Sequence, residues 1–481
     1  MPEIPDNIFR EYDIRGTYGQ DLTDETAELI GRAYAAIVRK TRPRKAGNPR
    51  ITVGRDVRTS SAPLWDALIR GLTSSGIDCV DIGECPSPLQ YFSIHSLGLD
   101  GGIMITGSHN PPEYNGFKIS IGEETIHGEG IQHLKRAVRQ IAPERPPEGM
   151  AEGKVERLDI ISRYIDYVAD NIRLPALKRP LKVALDSGNG TAGIVAPMLL
   201  RRLGCETVEL FSDPDGRFPN HHPDPTMPEN LNDLIEAVRC SGADFGVAYD
   251  GDADRIGVVD ELGGIIWGDK LMVIFSRAIL ETNPGATIVG EVKCSQVMYD
   301  EIARRGGRPV MWKTGHSLIK SKMKELKAEL AGEMSGHIFF ANRYLGFDDA
   351  VYASCRLAEI MAMRREKDPG FAFSTLLAGL PETVITPEIR VDCPDKLKFG
   401  VIEKLCGAIG KGTNGFKVRD IIKIDGLRMN FDGGWALVRA SNTQPVLVLR
   451  FEADSKALLD RSIDFVKTRL DKALPGVVFP V

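Results

Sequence analysis

A pattern of apolar and polar positions occurs three times along the chain. Each copy has a short β-branched run, a loop of Gly, Ser, Asp or Thr, apolar residues at helical spacing, a Gly and a second apolar run. The copies cover residues 51–83, 181–211 and 286–315. This order predicts a strand, a loop, a helix and a second strand, which together form a βαβ unit. Three such units indicate repeated α/β domains.

The residues after about 372 have a different pattern, in which several apolar strands are grouped and two helical stretches flank them. Grouped strands are typical of an α+β domain. Turn-rich segments at 142–153, 260–264 and 367–371 indicate domain boundaries. The sequence therefore predicts α/β domains over residues 1–153, 154–264 and 265–371, and an α+β domain over residues 372–481.

Composition narrows the class of protein. Apolar residues make up 42% and charged residues 26%, as in folded soluble proteins. The formal net charge of −5 provides no basic field for nucleic acid or an anionic membrane. No apolar run reaches the ~18–20 residues of a membrane helix, and the N-terminus lacks the order of a signal peptide. The eight cysteines include no CxxC pair, so we expect reduced thiols in a cytoplasmic protein without nucleic-acid or membrane partners.

The segment TGSHNPPEYNGFK, residues 106–118, follows an apolar run and contains two turn signals. Ser108 is therefore expected in an exposed loop at the end of a strand. It could be a nucleophile with His109 and Lys118 as neighbouring proton or charge carriers. Alternatively, Ser108 only hydrogen-bonds the backbone in a turn. No G-x-S-x-G elbow surrounds it, so acyl transfer is poorly supported.

The segment FGVAYDGDADRIGVVD, residues 245–260, places three acids between two apolar strands, followed by Arg255. The acids are Asp250, Asp252 and Asp254. Carboxylates this close repel one another unless a cation lies among them, and an all-oxygen set suits Mg²⁺. An EF-hand does not fit, because position six of its loop needs Gly and holds Arg255 here, even though position twelve holds the required acid, Glu261. A hairpin with solvated acids is the alternative.

The segment AGEMSGHIFF, residues 331–340, alternates Glu333, Ser335 and His337 in a loop between apolar residues. A carboxylate at such a position can accept two hydroxyl hydrogen bonds from a sugar. An ordinary polar loop explains the segment equally well, and KTGHS at 313–317 is just as ambiguous.

The segment VRASNTQPVLVLRFEA, residues 438–453, offers several hydrogen-bond donors and no acid at its start. A guanidinium fork, hydroxyl groups and backbone amides together can hold a phosphate group. The donors are Arg439, Ser441, Asn442 and Thr443.

In this order, the four loops resemble those of the α-D-phosphohexomutase superfamily: a TGSHNP phosphoserine loop, a DGD-x-DR metal loop, a sugar loop and a C-terminal phosphate loop. The resemblance covers nearly the whole chain. FREYDIRG at 9–16, KTGHS, GEMSGHIFF and RASNTQP are most similar to the bacterial bifunctional phosphomannomutase/phosphoglucomutases. Phosphoglucosamine mutases usually carry Gln where this chain has Met334, which argues against that subgroup.

The resemblance implies three α/β domains with mixed sheets and a C-terminal α+β domain around a central active-site cleft. It implies interconversion of hexose 1-phosphate and hexose 6-phosphate, for mannose or glucose, with Mg²⁺ and a hexose 1,6-bisphosphate intermediate. Ser108 would be the phosphoserine and would complete the metal ligands Asp250, Asp252 and Asp254. The other implied catalytic residues are Arg15, Lys118, His109 and Arg255. The implied substrate-binding residues are Tyr12, Lys293, His316, Glu333, Ser335, His337, Arg439, Ser441, Asn442 and Thr443.

Two departures from the family pattern are Ala253, where many members have Gly, and Gln444, where close relatives have a second Thr. Neither changes an implied ligand. We expect phosphosugars as ligands and a monomer or homodimer. The competing hypotheses are a Mg-dependent phosphatase with a transient phosphoserine, an inactive phosphosugar-binding protein, and a mutase that prefers amino-sugar phosphates.

Overall fold

The computed structural model describes residues 4–42, 47–142, 151–409, 416–442, 444–476 and 478–479. In these ranges the backbone forms four β-sheets with helices packed around them. No helix within them has both the length and the apolar character that crossing a membrane requires.

The first sheet has seven strands. They are β1 (Ile14–Thr17), β2 (Arg50–Arg55), β3 (Asp78–Glu84), β4 (Gly101–Ile105), β5 (Tyr114–Ile121), β6 (Glu124–Thr125) and β7 (Val155–Arg157). Their order is β1-β5-β4-β2-β3-β7, with β6 paired to β5. The helices around this sheet are α1 (Asp24–Thr41), α2 (Ser61–Thr73), α3 (Ser87–Leu97) and α4 (Glu129–Ile141).

The second sheet has the order β12-β11-β10-β8-β9. Its strands are β8 (Lys182–Asp186), β9 (Glu206–Leu210), β10 (Phe245–Tyr249), β11 (Ile256–Asp260) and β12 (Ile265–Ile266). The helices of this region are α5 (Ile160–Asn171), α6 (Ala192–Arg202) and α7 (Asn232–Ser241).

The third sheet has the order β14-β13-β15-β16. Its strands are β13 (Thr287–Glu291), β14 (Arg308–Trp312), β15 (Leu330–Gly332) and β16 (Ile338–Phe340). The helices of this region are α8 (Gly268–Thr282), α9 (Gln296–Arg304), α10 (His316–Leu326) and α11 (Ala350–Lys367).

The three predicted repeats are confirmed as βαβ units. Strand β2 is parallel to β3, β8 to β9, and β13 to β14, with α2, α6 and α9 between the members of each pair. A further parallel strand lies on the other side of each unit: β4 beside β2, β10 beside β8, and β15 beside β13. Each of these strands turns back into an antiparallel neighbour. The chain is therefore an α/β protein with mixed sheets in its first three parts.

The fourth sheet is antiparallel throughout, as expected for an α+β domain. Its strands are β17 (Val384–Ile385), β18 (Ile389–Asp392), β19 (Val418–Ile422), β20 (Leu427–Phe431), β21 (Gly434–Ala440) and β22 (Val446–Ala453). Helices α12 (Asp395–Ala408) and α13 (Lys456–Ala473) cover it and complete a separate hydrophobic core. Many buried residues of the second and third sheets form one continuous cluster with side chains of β3 and α3, and other residues of these two sheets form smaller separate clusters.

Short segments cross each of the predicted domain boundaries. Strand β7 begins after residue 153 but pairs with β3, and β12 begins after residue 264 but pairs with β11. The 3-10 segment Phe373–Leu377 follows residue 371, and the Phe373 ring stacks on Phe245 at 4.7 Å between centroids. Each segment buries its apolar side chains or satisfies a sheet edge in the preceding part of the chain.

Candidate active site

Ser108 lies in the loop that joins β4 to β5, and only 3% of the residue is exposed. Its backbone has φ +51°, in the left-handed region. The turn is closed by Thr106, whose Oγ1 accepts the Ser108 N–H at 2.8 Å. The Ser108 hydroxyl therefore points away from the turn: it donates to Asp250 Oδ2 at 3.0 Å and lies 3.1 Å from His109 Nδ1.

The three acids predicted at the end of β10 lie together and are buried. Their candidate ligand atoms lie within 4.8 Å of one another. Asp250 Oδ1 accepts the backbone N–H groups of Asp254 at 3.0 Å and Arg255 at 3.1 Å, which closes the loop. Ala253 adopts φ +58°, where glycine is favoured. The solvated hairpin considered from the sequence is therefore wrong, because these carboxylates face inward.

The acid cluster has the character of a cation site. The Oδ1 atoms of Asp252 and Asp254 are buried and have no hydrogen-bond partner among the described residues. Burial and the neighbouring carboxylates raise the pKa of Asp250 well above its ordinary value. Buried carboxylates that repel one another in this way are stabilised by a divalent cation, and an all-oxygen set suits Mg²⁺. The residues present therefore fit the metal that the family resemblance implies.

Lys118 extends from β5 into the same cluster. Its Nζ lies 2.6 Å from Asp252 Oδ2 and also contacts Asp254 Oδ2. Burial lowers the lysine pKa, but the carboxylates outweigh this effect, and the pKa is raised well above its ordinary value. The same contact, together with His337, lowers the pKa of Asp254 against the opposing effect of burial. Lys118 is therefore a fixed positive charge beside the candidate metal ligands.

Arg15, at β1, contacts the loop from residue 106 to residue 114, which runs from the end of β4 to the start of β5 and which we call the serine loop. Its Nη1 donates to the Gly107 carbonyl at 3.0 Å and to Asn110 Oδ1 at 2.7 Å. Burial lowers the pKa of His109 well below its ordinary value, and the charges of Arg255 and Arg15 lower it further. The neutral form of the His109 ring is therefore favoured beside the Ser108 hydroxyl.

A chain of polar contacts joins the metal loop to the sugar loop. Arg255 Nε donates to His337 Nε2 at 3.0 Å. Because an arginine N–H can only donate, we assign the proton of His337 to Nδ1, which lies 3.1 Å from Asp348 Oδ2. The ring of His316 stacks on His337 at 5.6 Å, and its Nδ1 lies 3.5 Å from the same Asp348 oxygen.

The Glu333 carboxylate organises the sugar loop itself. Its Oε1 accepts the Gly315 N–H at 2.8 Å, and its Oε2 accepts the Ser335 hydroxyl at 3.1 Å. Gly315 has φ +133° and lies directly before α10, so this bond fixes the start of the helix that carries His316. The two predicted sugar-binding segments, 313–317 and 331–340, therefore form one unit.

The predicted phosphate loop faces the same region from the fourth sheet. Asn442 Nδ2 donates to the Tyr12 hydroxyl at 2.6 Å, and this hydroxyl donates to the Thr314 carbonyl at 2.9 Å. Arg439 is held by Asp425 at 3.0 Å. Ser441 Oγ accepts the N–H of Gln444 at 3.2 Å. Thr443 lies outside the described residues.

Lys293 brings a further cation to this side of the site. Its Nζ lies 3.1 Å from Glu388 Oε2 and 3.6 Å from Glu291 Oε1. Burial lowers the lysine pKa, but the two carboxylates outweigh it and raise the pKa. The structure thus gathers the predicted residues into two clusters. The first consists of Ser108, His109, Arg15, Lys118, Arg255, His337 and the three acids. The second consists of Tyr12, Lys293, His316, Glu333, Ser335, Arg439, Ser441 and Asn442.

Sequence reasoning missed Asp348 and Lys320. Lys320 Nζ lies 3.2 Å from Asp348 Oδ1, opposite the histidines. The pair Asp348-Asp349 before an apolar helix predicts a helix cap, which is the role of Asp349: its Oδ1 accepts the Tyr352 N–H at 2.8 Å. Asp348 is not needed for the cap. A second acid beside a cap residue is the feature of the sequence that could have marked Asp348 as a functional candidate.

Comparison with known proteins agrees with this arrangement. Four families match in chain order, each described as phosphoglucomutase/phosphomannomutase: alpha/beta/alpha domain I at residues 6–143, domain II at 162–263, domain III at 267–381 and the C-terminal domain at 388–468. A phosphomannomutase/phosphoglucomutase of Pseudomonas putida is 45% identical over 99% of this chain and 98% of its own length. A phosphoglucomutase of Neisseria gonorrhoeae is 43% identical over the full length of both chains.

A solved structure supports the same grouping. The phosphoglucomutase/phosphomannomutase family protein of Burkholderia thailandensis is 42% identical, covers all of both chains and superimposes with a TM-score of 0.89. The chain therefore belongs to the phosphoglucomutase/phosphomannomutase family of the α-D-phosphohexomutase superfamily.

Proposed function

We propose that the chain is a phosphomannomutase/phosphoglucomutase that interconverts hexose 1-phosphate and hexose 6-phosphate through a phosphoserine at Ser108. The observation that carries this proposal is the 3.0 Å contact of the buried Ser108 hydroxyl with Asp250, inside the acid cluster. A hydroxyl in that position is presented to a site that fits a divalent cation. The names of the relatives support the same reaction.

The metal in this proposal is Mg²⁺, held by Asp250, Asp252 and Asp254 and by an oxygen of the Ser108 phosphate. When bound, it would neutralise charge on the phosphate group during transfer. A serine phosphate carries about −1.5 to −2 charges at pH 7. Arg15 and Lys118, which flank the serine loop and the acids, would balance the remaining charge.

Phosphoryl transfer requires positioning and charge balance more than covalent chemistry. The phosphoryl group would leave the Ser108 Oγ for the free hydroxyl oxygen of the sugar. The proton of that hydroxyl would end on the Ser108 oxygen, which leaves a free serine and a hexose 1,6-bisphosphate. After this intermediate turns around, its other phosphoryl group would return to Ser108. His109 contacts the Ser108 hydroxyl and His337 contacts Arg255, so both histidines could assist the transfer.

The turn of the intermediate explains why a second anion site is needed. Arg439, Ser441, Asn442 and Thr443 would hold the phosphate group that does not react, with Lys293 nearby. Glu333 and Ser335 would bind hydroxyl groups of the sugar ring. If Glu333 binds O3 and O4, the substituent at C2 is not contacted. Glucose and mannose differ only at C2, so we propose that both are substrates.

The broader predictions remain part of this proposal. We propose the four-domain division stated above, a hexose 1,6-bisphosphate activator, phosphosugars as ligands, a cytoplasmic location and a monomer or homodimer. The ranges matched by the four families support the division to within about ten residues at most boundaries.

The test is phosphorus NMR of the protein with Mg²⁺, a trace of hexose bisphosphate and either mannose 1-phosphate or glucose 1-phosphate. We expect the 6-phosphate signal from both sugars and none from a Ser108→Ala variant, which lacks the oxygen that accepts the phosphoryl group. Release of inorganic phosphate alone would favour a phosphatase. No change with either sugar would contradict the proposal and favour an amino-sugar mutase or an inactive binding protein.

A further inference from the structure

Every N–H group of the Arg58 guanidinium donates a hydrogen bond, and four of these bonds go to the serine loop. Arg58 lies between β2 and α2, and its side chain has no exposed surface. Four of its N–H groups donate to backbone carbonyls of the serine loop. The acceptors are the carbonyls of Ser108 at 2.8 Å, Asn110 at 2.6 Å, Pro111 at 2.5 Å and Tyr114 at 3.0 Å. The fifth, on Nε, donates to Asp56 at 3.1 Å. A guanidinium has five N–H donors, so none is left over.

Asp56 also binds the backbone of the serine loop. Its Oδ2 accepts the Gly107 N–H at 3.1 Å, and its Oδ1 accepts the Ser61 hydroxyl at 2.5 Å. The loop packs so closely on Arg58 that a Cβ added to Gly107 would lie 2.5 Å from the guanidinium carbon. The Asp56–Arg58 pair therefore binds both N–H and C=O groups of the segment that carries the serine.

Ser108 needs such a restraint. Its φ of +51° is unfavourable for a residue with a Cβ by about 1 kcal/mol or more. A loop of this kind keeps its conformation only where surrounding groups determine it. The second domain adds one of these groups, since the ring of Phe218 lies 5.0 Å from the guanidinium carbon.

We propose that Arg58 is a positioning residue for phosphoryl transfer: it fixes the backbone from which the Ser108 oxygen faces the acid cluster. This inference rests on the proposed function, because it assigns to Ser108 the phosphate that is transferred. Arg58 touches neither of the predicted sugar-binding segments, so its effect belongs to the transfer step. A lysine keeps the charge but has three donors on one atom and cannot replace the planar fork.

The experiment compares the wild type with Arg58→Lys and with Arg55→Lys as a matched control. Arg55 lies in the same segment, with ion pairs to Asp81 and Glu84 at 3.7 Å. For Arg58→Lys we expect kcat to fall about 10- to 100-fold with KM changed less than about threefold, since a displacement of ~1 Å can cost 10²-fold in rate. Hydrogen exchange should become faster in residues 106–114, and Arg55→Lys should match the wild type in both measurements.

Two further measurements keep the outcomes distinct. Millimolar guanidinium chloride should restore part of the activity of Arg58→Ala and leave the wild type unchanged. Intact mass and peptide mapping after treatment with hexose 1,6-bisphosphate report whether wild-type Ser108 carries phosphate. Absence of that phosphate would overturn the proposed function and this inference together.

Suppose that wild-type Ser108 is phosphorylated. If Arg58→Lys then keeps the wild-type kcat, or if its KM changes by as large a factor as its kcat, this inference is overturned and the proposed function is not. Should Arg58→Lys fail to fold, Gly107→Ala provides the second test. This variant pushes the loop away from the guanidinium without removing a donor. We expect it to lower kcat in a folded variant whose melting temperature is reduced by the close contact. A folded variant with unchanged kcat would overturn the inference.

Discussion

The carboxylates of the acid cluster are buried where water cannot stabilise their charge, so other groups must do so. Lys118 supplies a positive charge to Asp252 and Asp254. Ser87 also donates to Asp252 Oδ2, which leaves Oδ1 of this residue as the unpartnered atom. Asp252 and Asp254 thus each have one oxygen held by the protein and one without a hydrogen bond among the described residues, whereas both oxygens of Asp250 accept hydrogen bonds.

Asp252→Asn is expected to weaken metal binding, because an amide has lost the negative charge that attracts the cation. We expect the Mg²⁺ concentration for half-maximal activity to rise about 10-fold or more, and kcat to fall on the order of 10²-fold. Mn²⁺ binding followed by electron paramagnetic resonance gives a readout independent of activity. Asp233→Asn, at an exposed site on α7 of the same domain, is the control. Equal metal affinity in the two variants would contradict the assignment.

The βαβ repeats place the candidate site at equivalent positions in three sheets. The serine loop follows β4, the acid loop follows β10 and the sugar loop follows β15. Each of these strands lies beside the first strand of its repeat and then turns into an antiparallel neighbour. The repeated order of strands and helices therefore provides three loops at equivalent positions. Their side chains differ: one loop holds the serine, one the acids and one the predicted sugar-binding residues.

This regularity explains how much the sequence could predict. Strands and loops such as β10 and its acids are local patterns, and their residues were identified from the sequence. Arg58 and Asp348 could not be identified in this way, because their partners are distant: Arg58 contacts Ser108 fifty residues away, and Asp348 contacts Lys320. Their roles follow from tertiary packing. The acid pair before α11 draws attention to Asp348, but no local pattern in the sequence identifies the partners of either residue.

Two glycine-to-alanine changes, one in the first domain and one in the fourth, test how closely helices are packed. Helices α1 and α2 meet so closely that a Cβ on Gly71 would lie 2.1 Å from the Glu28 carbonyl oxygen. Gly71→Ala is therefore expected to lower the free energy of unfolding by about 1–3 kcal/mol or more. For Gly400 in α12, an added Cβ would meet no other described part of the protein within 4 Å beyond its own helix backbone and adjacent residues. Gly400→Ala should therefore raise the free energy of unfolding by about 1 kcal/mol. Denaturant unfolding measures both, and a stabilised Gly71→Ala would contradict the packing argument.

At the scale of the whole molecule, the fourth domain has its own core but is joined to the third by buried polar contacts. Arg428 donates to the carbonyls of Val292 at 2.6 Å and Cys294 at 2.8 Å, with its guanidinium 3.8 Å from the Trp435 ring. Arg450 donates to the Lys293 carbonyl between them. The backbone that carries Lys293 is thus fixed by the domain that holds the predicted phosphate loop.

The Lys293–Glu388 ion pair makes this junction sensitive to acid. Lys293 lowers the pKa of Glu388 to about 2, against burial and with help from Arg390. Because the folded pKa lies below the ordinary value, the unfolded chain binds the extra proton between about pH 4.5 and pH 2. The stabilisation is therefore complete above this window and is lost as the pH falls through it, by at most about 1.4 kcal/mol per pH unit.

Glu388→Gln removes the titrating group, so its unfolding free energy should lack this component. We expect the wild type to be more stable than Glu388→Gln by a constant margin above about pH 5, and the margin to shrink as the pH falls below 4.5, because the wild type then protonates Glu388 on unfolding. Denaturant unfolding followed at several pH values between 7 and 3.5 measures the margin. Glu382→Gln, at an exposed position just before β17, controls for the loss of one negative charge. A margin that stayed constant down to pH 3.5 would show that the junction does not depend on this ion pair.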